Sequence, residues 1–497
     1  MQNYKIFRNH RGHIAKISNF AKNISMVFSS NIFLLFFLPV FLICYFISPK
    51  SWRNIVLLLF SIVFYAYGAP DFILLLIGST VINYYLVKLM YKSDKQRLKK
   101  IYCGLAISVS LGLLIYFKYA NFFVDNFNAI VGAFGLRTFT FTKVLLPIGI
   151  SFFSFQSVTY VIDTYRGNNK PMDRLTDYVL YIIMFPQLIA GPIVRYCDIE
   201  GEIRHRDYRW SECLQGFYRF IIGLSKKILI ADVIGAQVDT LLGGDLSIMD
   251  SGTAWITIAA YTMQLYFDFS GYSDMAIGLG KIMGFHFPEN FDNPYNSASI
   301  TEFWRRWHIT LGAFMRNYLY IPLGGNRCSK SRMYFNLWVV FLLSGFWHGA
   351  NWNFIIWGAY HGIWLVLERM GLKHFYEKIG KVPSVIITFI IAMVGWAVFR
   401  IENLNDAWTF ITRLFAFDFQ SFTWTQSPQF YTILIAALAF SFVGLFPFGK
   451  NLINLVFYTD FSIKQHLVVW PIAIFMLLFC LGALNSVGFS PFIYFRF

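Results

Sequence analysis

The segment FLLSGFWHGANWNF (residues 341–354) places polar side chains at the end of an apolar run. His348 follows Trp347 directly and is succeeded by Asn351 and Trp352. An imidazole can take up or release a proton near neutral pH, and an amide one helical turn away can orient it or hydrogen-bond a carbonyl group. The segment therefore predicts acid/base chemistry at His348, supported by Asn351 if this part of the chain is helical.

Small residues surround this histidine. Gly345 and Gly349 would allow a substrate chain or another helix to approach closely. A further histidine, His361, comes thirteen residues after His348 and would fall on a different face of any continuous helix. We therefore interpret His361 as a supporting or structural residue.

A second candidate lies in TEFWRRWHITL (residues 301–311). Helical spacing would place Trp304 and Arg305 on the same side as His308, with Arg306 adjacent. Burial and cationic neighbours both disfavour the imidazolium, so His308 is expected to be neutral, as a base or a hydrogen-bonding group must be. A purely structural histidine is an equally good interpretation of this position.

Two carboxylates, Asp268 and Asp274, lie within an otherwise apolar segment. An ionisable side chain is costly in an apolar environment and by default indicates function or a buried partner. A structural pair with a nearby lysine or arginine is the simpler explanation, so the pattern predicts buried ion pairs before it predicts catalysis.

The composition indicates where such residues would lie. The chain has 497 residues, of which 57% are hydrophobic, 20% aromatic and 14% charged, and its mean hydropathy is +0.53. These values are typical of a protein that crosses a membrane several times. The net charge of +16 is scattered through short loops, which favours membrane topology over nucleic-acid binding. The six cysteines show no metal-ligand spacing, and we interpret them as small buried hydrophobic residues.

The apolar runs predict an all-α membrane domain without a repeat or a separate soluble domain. The segment 182–194 contains Gly and Pro and is predicted to be re-entrant, while 214–232 and 301–320 are amphipathic. The predicted spans are 31–48, 54–68, 72–90, 101–123, 144–165, 178–195, 254–283, 334–349, 351–368, 383–400, 430–447 and 466–484.

Basic loops suggest the orientation. Residues 91–100 should be cytoplasmic, and counting back through one tight turn places 49–53 on the same side. The basic residues 1–25 would then lie outside, against the same rule. Either one span is miscounted, or residues 1–25 are an extension absent from the natural protein, which would begin at Met26. We favour the second interpretation, with 26–497 forming one integral-membrane domain.

Several catalytic motifs are absent. The sequence contains no H-x-x-x-x-D, G-x-S-x-G, H-E-x-x-H or G-K-[ST]. The sequence therefore lacks the motifs that identify glycerolipid acyltransferases, serine hydrolases, zinc proteases and P-loop proteins. An enzyme of this sequence would use histidine without a protein nucleophile, a metal or a bound cofactor.

The motifs together resemble the membrane-bound O-acyltransferase family, and most of all its bacterial branch that includes the membrane subunit of alginate O-acetylation. The similarity covers nearly the whole chain from residue 26. It is carried by YFDFSGYSDMAIGLGKIMGFHFPENFDNPY, FWRRWHITL, YIPLGGNR, LLSGFWHGANWNFIIWGAYHG, MFPQLIAGPIVRY and the terminal SPFIYFRF.

This resemblance implies a bundle of about eleven transmembrane helices with re-entrant and amphipathic pieces around a central tunnel. It implies His348 as the main catalytic histidine and His308 as the second. It further implies acetyl-CoA as donor, a separate extracytoplasmic SGNH-type acetyltransferase protein as recipient, a polysaccharide as final acceptor, and the bacterial cytoplasmic membrane as location. Basic residues that could attract CoA phosphates or support the tunnel wall are Arg305, Arg306, Lys226 and Lys227.

Two other functions stay open at this point. The D-alanyl transfer branch of the same family takes its acyl group from a carrier protein and modifies teichoic acid. A transporter could use intramembrane histidines and aspartates as a proton or substrate path, although the lack of an internal repeat argues against it.

Overall fold

The computed structural model describes residues 26–419, 426–487 and 491–493, so the predicted N-terminal extension 1–25 lies outside the described residues. The all-α prediction is confirmed. Within the described ranges the chain forms helices and one isolated antiparallel bridge between Phe291 and Trp307.

The helices are numbered here in chain order. The first half consists of α1 (Phe33–Ile47), α2 (Lys50–Gly68), α3 (Pro70–Lys92), α4 (Gln96–Ala133), α5 (Ile150–Tyr165), α6 (Leu175–Ile183), α7 (Phe185–Leu188), α8 (Tyr196–Arg204), α9 (Trp210–Ser225) and α10 (Asp232–Leu242). The second half consists of α11 (Ser251–Ile282), α12 (Ile300–Arg306), α13 (Ile309–Met315), α14 (Lys330–His348), α15 (Trp352–Leu367), α16 (Lys373–Ile379), α17 (Lys381–Arg400), α18 (Leu404–Leu414), α19 (Pro428–Leu445), α20 (Pro447–Tyr458) and α21 (Ile463–Val487).

Among the described residues, six helices are long and apolar enough to cross a membrane: α2, α3, α4, α17, α19 and most of α21. Other predicted spans fall on shorter helices or, as in α11, on a helix whose middle is enclosed by the rest of the chain. The predicted interruption within 182–194 is observed, because α6 ends at Ile183 and α7 is only one turn long. The span expected at 144–165 becomes helical only at Ile150.

Helices α9 and α11 cross with their backbones in contact. Gly216 and Gly223 of α9 face Gly278 and Gly271 of α11, and the spacing of seven residues is the same in both helices. A Cβ atom on Gly223 would lie 2.5 Å from the carbonyl oxygen of Gly271. Only glycine permits such an approach, which brings the two backbones together at both glycine pairs.

The two buried carboxylates of α11 are paired, as the simpler interpretation predicted. Asp274 contacts Lys226 at 2.6 Å and Arg219 at 2.9 Å. Asp268 contacts Lys227 at 2.7 Å. Lys226 and Lys227 are therefore held in ion pairs that tie the end of α9 to α11.

The cysteines only partly follow the prediction. All six are free, and Cys103 and Cys480 are buried among apolar side chains. Cys197, in contrast, is exposed, because it lies in the first turn of the amphipathic helix α8.

The glycine contact between α9 and α11 can be tested by substitution. We expect Gly223→Ala to lower the free energy of unfolding by about 1–3 kcal/mol, since the added methyl group must push the two backbones apart. Gly104→Ala in α4 is the matched control, because nothing lies within 4 Å of its Cβ position. The thermal unfolding midpoint of the detergent-solubilised protein measures both variants, and equal midpoints would contradict the packing described here.

Candidate functional site

His348 is the last residue of α14 and is almost fully buried. Its imidazole packs against Trp347 at 4.9 Å, Trp357 at 5.2 Å and Phe399 at 5.3 Å between ring centroids. The helix stops here because Gly349 is extended, with φ −162° and ψ 149°. A Cβ atom on Gly349 would collide with the ring of Phe354, so the chain turns away from α14 where only glycine fits.

The prediction that Asn351 shares a helical face with His348 is wrong. The helix has already ended, and Asn351 is the N-cap of α15, where its side-chain oxygen accepts a hydrogen bond from the backbone N–H of Trp352 at 2.6 Å. An asparagine at the start of a helix satisfies an otherwise unpaired amide. The indole of Trp352 is half-exposed and donates to Asn126, so it contributes to this capping turn.

The prediction of one continuous helix through residues 301–311 is also wrong, although the segments on both sides of the break are helical. Helix α12 ends at Arg306 and α13 begins at Ile309, with His308 between them in the left-handed region at φ 47° and ψ 55°. The break arises because residues 290–292 pair with 306–309: the amide of Ile309 donates to the carbonyl of Asn290 at 3.0 Å. A non-glycine residue with positive φ is uncommon and is often found at functional sites.

This break changes the neighbours expected for His308. Arg305 is exposed and, within the described part of the chain, does not act on the histidine. Arg306 forms an ion pair with Glu302 at 2.8 Å. Trp304 instead packs against His361 at 5.0 Å. The arginines therefore contribute no cationic neighbour to His308.

The environment of His308 specifies its tautomer. Asn290 is fully buried, and its side-chain nitrogen donates to the carbonyl of Gly191 at 3.3 Å and to Ser273 at 3.0 Å. Its oxygen must then face His308 Nδ1, 3.0 Å away, and it also accepts from Thr310. Since a carbonyl oxygen only accepts, Nδ1 carries the hydrogen. In the neutral ring Nε2 is an acceptor, and it has no partner among the described residues.

Trp347 links the two histidines. Its ring lies 4.9 Å from the centroid of His348 and 6.2 Å from that of His308. It also stacks on Phe155 of α5 at 5.3 Å. The structure thus brings both predicted histidines to one aromatic wall, formed by Trp347 and Phe155, although they lie forty residues apart in sequence.

The remaining candidates lie away from this wall. His361 is fully buried between Trp304 and Trp357, and neither of its ring nitrogens has a described hydrogen-bond partner. Asp268 and Asp274 are engaged in the ion pairs of α9 and α11. These residues support the frame around the site rather than contact the imidazoles.

The close approach expected at Gly345 is made by a helix. A Cβ atom there would lie 2.2 Å from the carbonyl oxygen of Phe354, and Gly358 of α15 is almost as near. Helix α15 therefore packs directly on the turn of α14 that precedes His348.

Two residues of the site were missed by the sequence analysis. Asn290 orients His308, but nothing in its local sequence distinguishes it from a turn residue. Lys118 of α4 is buried and donates to the backbone carbonyl of His348 at 3.1 Å and to that of Trp347. It is a single charge in an apolar run, so the rule that identified Asp268 and Asp274 could have found it.

A polar cleft of about 440 Å³ lies near the C-terminal half of α5, which it reaches through Met172. It is lined by Tyr196, by basic side chains that include Lys50 and Arg174, and by the carboxylates of Asp173, Asp177 and Glu200. Met172, also in its wall, donates its backbone N–H to Tyr160 of α5 at 2.9 Å.

Helix α5 joins this cleft to the histidine wall. Ser151, at its start, lies 3.5 Å from Lys118. Nine residues separate Ser151 from Tyr160, which is a rise of about 14 Å along the axis. Between them the side chains of Ser154 and Gln156 are buried with no hydrogen-bond partner in the described part of the chain.

Comparison with known proteins gives a family match and several relatives. The family model described as the membrane-bound O-acyltransferase family, MBOAT, matches residues 33–401. A Pseudomonas aeruginosa protein named "Probable alginate O-acetylase AlgI" is 46% identical over 430 residues, covering 84% of this chain and 82% of its own. A Helicobacter pylori protein named "Peptidoglycan O-acetyltransferase" is 37% identical over 434 residues, covering 79% and 80%.

Relatives with D-alanyl chemistry are more distant. The protein named "Teichoic acid D-alanyltransferase" of Streptococcus thermophilus is 29% identical over 294 residues. The alignment covers 52% of this chain and 69% of that protein.

The role of Asn290 in holding His308 can be tested without an activity assay. We expect Asn290→Ala to lower the free energy of unfolding by about 1–3 kcal/mol, because buried polar groups of His308 and Thr310 lose their partner. Amide exchange in residues 304–312 should also become faster. Asn128→Ala is the control, since Asn128 makes two comparable hydrogen bonds to Phe139 at an exposed position where water can replace them. Unchanged exchange in 304–312 would show that Asn290 does not hold the break.

Proposed function

Because the chain belongs to the membrane-bound O-acyltransferase family, we propose that it moves an acetyl group from a cytoplasmic thioester donor to an extracytoplasmic acceptor, for O-acetylation of a cell-surface or secreted polysaccharide. The observation that carries the proposal is the pair of buried histidines that both pack against Trp347. D-alanyl transfer is the less favoured alternative, since the relatives with that name match only about half of this chain.

The chemistry assigned to the histidines is transfer of an acyl group from the sulfur of a thioester to the oxygen of a hydroxyl. His348 takes the proton of the acceptor hydroxyl while the oxygen attacks the thioester carbonyl carbon, and a C–O bond forms as the C–S bond breaks. The leaving thiolate receives that proton, so the products are an ester and a free thiol. A thiolate leaves readily, and this route needs neither a protein nucleophile nor a metal.

His308 is assigned an orienting role. Its neutral ring presents Nε2 as an acceptor, because Nδ1 donates to Asn290. Such a group can accept a hydrogen bond from a substrate hydroxyl and so hold it in one direction before the proton moves. The left-handed backbone of His308 and its bonds to residues 290–292 fix the ring for this purpose.

The donor is proposed to be acetyl-CoA, entering through the cleft beyond α5. The cleft contains Lys50, which belongs to the basic loop expected on the cytoplasmic side, and Arg174. Both can attract the phosphate groups of CoA. We place its extended arm along α5, where the polar atoms of Ser154 and Gln156 are buried without a partner among the described residues and could bind its amide groups.

The acceptor side of the proposal follows from the relatives. Proteins named as an alginate O-acetylase and a peptidoglycan O-acetyltransferase are both bacterial, which favours the bacterial cytoplasmic membrane as the location. An SGNH-type protein outside that membrane would receive the acetyl group and pass it to sugar hydroxyls. The polymer itself is either an alginate-like exopolysaccharide or peptidoglycan.

The assignment of the histidines is tested by single substitutions. We expect His348→Ala to lower ester acetate on the extracellular polymer by about 100-fold or more, the usual contribution of a general base. His308→Ala should lower it less, and His374→Ala is the control, because that side chain is exposed on α16. Acetate per unit of polymer is compared at equal membrane abundance of each variant.

The outcomes are distinct. Wild-type acetate with His348→Ala would contradict the assignment of the base. Loss of polymer acetate in His308→Ala but not in His348→Ala would assign the role of base to His308. D-alanine esters on teichoic acid, dependent on His348, would replace the proposed acyl group and acceptor.

The donor cleft gives a separate prediction. We expect Lys50→Gln combined with Arg174→Gln to raise the KM for acetyl-CoA several-fold with little change in kcat, because the lost charges act on binding and not on the chemical step. The effect should shrink at high salt, since exposed charges are screened. Lys92→Gln in the last turn of α3 is the control outside the cleft. An unchanged KM for the double variant would show that the donor does not enter through this cleft.

A further inference from the structure

Lys118 is a buried charge with an unusual set of partners. Its side chain is almost completely buried, and no carboxylate of the described residues lies within ion-pair distance of it. Its ammonium group is instead near three oxygens: the backbone carbonyls of Trp347 and His348 and the hydroxyl of Ser151. A lysine without an opposite charge is costly in an apolar interior, so its position requires an explanation.

The two carbonyls belong to the end of α14. The last four C=O groups of a helix have no partner within the helix and must be satisfied from elsewhere. Tyr119, the residue after Lys118, donates its hydroxyl to the carbonyl of Phe346 at 3.0 Å and stacks on the ring of Phe346 at 4.2 Å. Two neighbouring residues of α4 thus cap three successive carbonyls that end at His348.

The backbone of α4 is irregular at this point. Residues Ile115–Tyr119 form a π-helical stretch, which changes the direction of the side chains relative to a regular helix. Four other stretches of this kind occur among the described residues, so this one matters for the side chains it presents and not for its geometry alone. Here the stretch presents both Lys118 and Tyr119 to α14.

We propose that Lys118, with Tyr119, is a positioning residue of the acyl-transfer reaction: it caps the C-terminal end of α14 and so holds the backbone of His348 where the imidazole reaches its substrate. The proposal rests on the catalytic role given to His348 above. A cation at a helix C-terminus also interacts favourably with the helix dipole. The three N–H groups of the ammonium face three oxygens, so Lys118 acts through α14 and not by contact with the substrate.

The capping role predicts a specific kinetic effect. Lys118→Met keeps the length and apolar stem of the side chain but leaves the carbonyls of Trp347 and His348 unpaired. We expect kcat for acetyl transfer to fall by about 100-fold, as for loss of two charge-assisted hydrogen bonds, with less than about a twofold change in the KM for acetyl-CoA. Lys88→Met on α3 is the matched control, because its ammonium lies over the ring of Tyr84 and outside the site.

Backbone exchange tests the cap independently of activity. Hydrogen exchange of the peptide covering residues 345–352 should become faster in Lys118→Met and stay at the wild-type rate in Lys88→Met. Tyr119→Phe provides a milder variant, which removes one hydroxyl but keeps the stacking on Phe346, and we expect it to raise exchange there and lower kcat severalfold. It keeps the test valid if Lys118→Met does not accumulate in the membrane.

A double variant separates this inference from the proposed function. In a His348→Ala background, Lys118→Met should cause no further loss of acetyl transfer. A further loss, or an effect of Lys118→Met on KM instead of kcat, would overturn the positioning role and point to substrate contact. If His348→Ala were fully active, the proposed function would fail, while unchanged exchange in 345–352 would independently refute the cap.

Discussion

The structure depends on one constraint: a polar group enclosed in an apolar, membrane-embedded chain must find its partner within the protein. Regular helices meet this constraint by themselves along most of the sequence. It becomes demanding where a helix ends inside the fold, because the terminal amides and carbonyls lose their partners. Both histidines of the site lie at such ends. His348 is the last residue of α14, and His308 occupies the break between α12 and α13.

Each helix end is satisfied in a different way. At His308 a short antiparallel pairing with residues 290–292 supplies backbone hydrogen bonds, and Asn290 supplies the side-chain partner. At His348 the partners come from the neighbouring helix, through Lys118 and Tyr119. A histidine at a helix end has its backbone fixed by these caps while its side chain projects beyond the last turn. The same contacts that satisfy the broken helix therefore also position the imidazole.

Much of the fold could be predicted from composition and apolar runs, because membrane helices are marked by length and hydropathy alone. The paired state of Asp268 and Asp274 could be predicted as well, since a charge in an apolar run needs a partner. Both histidines were identified as candidates from their residue type and surroundings. Their neighbours were not, because Arg305 and Asn351 were placed by assuming helices that continue through Trp307 and Gly349. Local spacing cannot reveal a break that is caused by pairing with residues 290–292.

The failures have a common physical origin. The apolar periodicity of a segment reports which face is buried, but it does not report whether the backbone hydrogen bonds continue. In a water-soluble protein, water can hydrogen-bond the free groups at a helix end, so no polar partner is needed elsewhere in the sequence. Inside an apolar fold the partner must be a polar residue on another helix, as with Lys118 in the run LGLLIYFKYANFF. An isolated lysine or asparagine in an apolar segment is then evidence for a broken helix nearby as much as for catalysis. For this chain both conclusions apply at His348, because α14 ends at the residue that is proposed as the base.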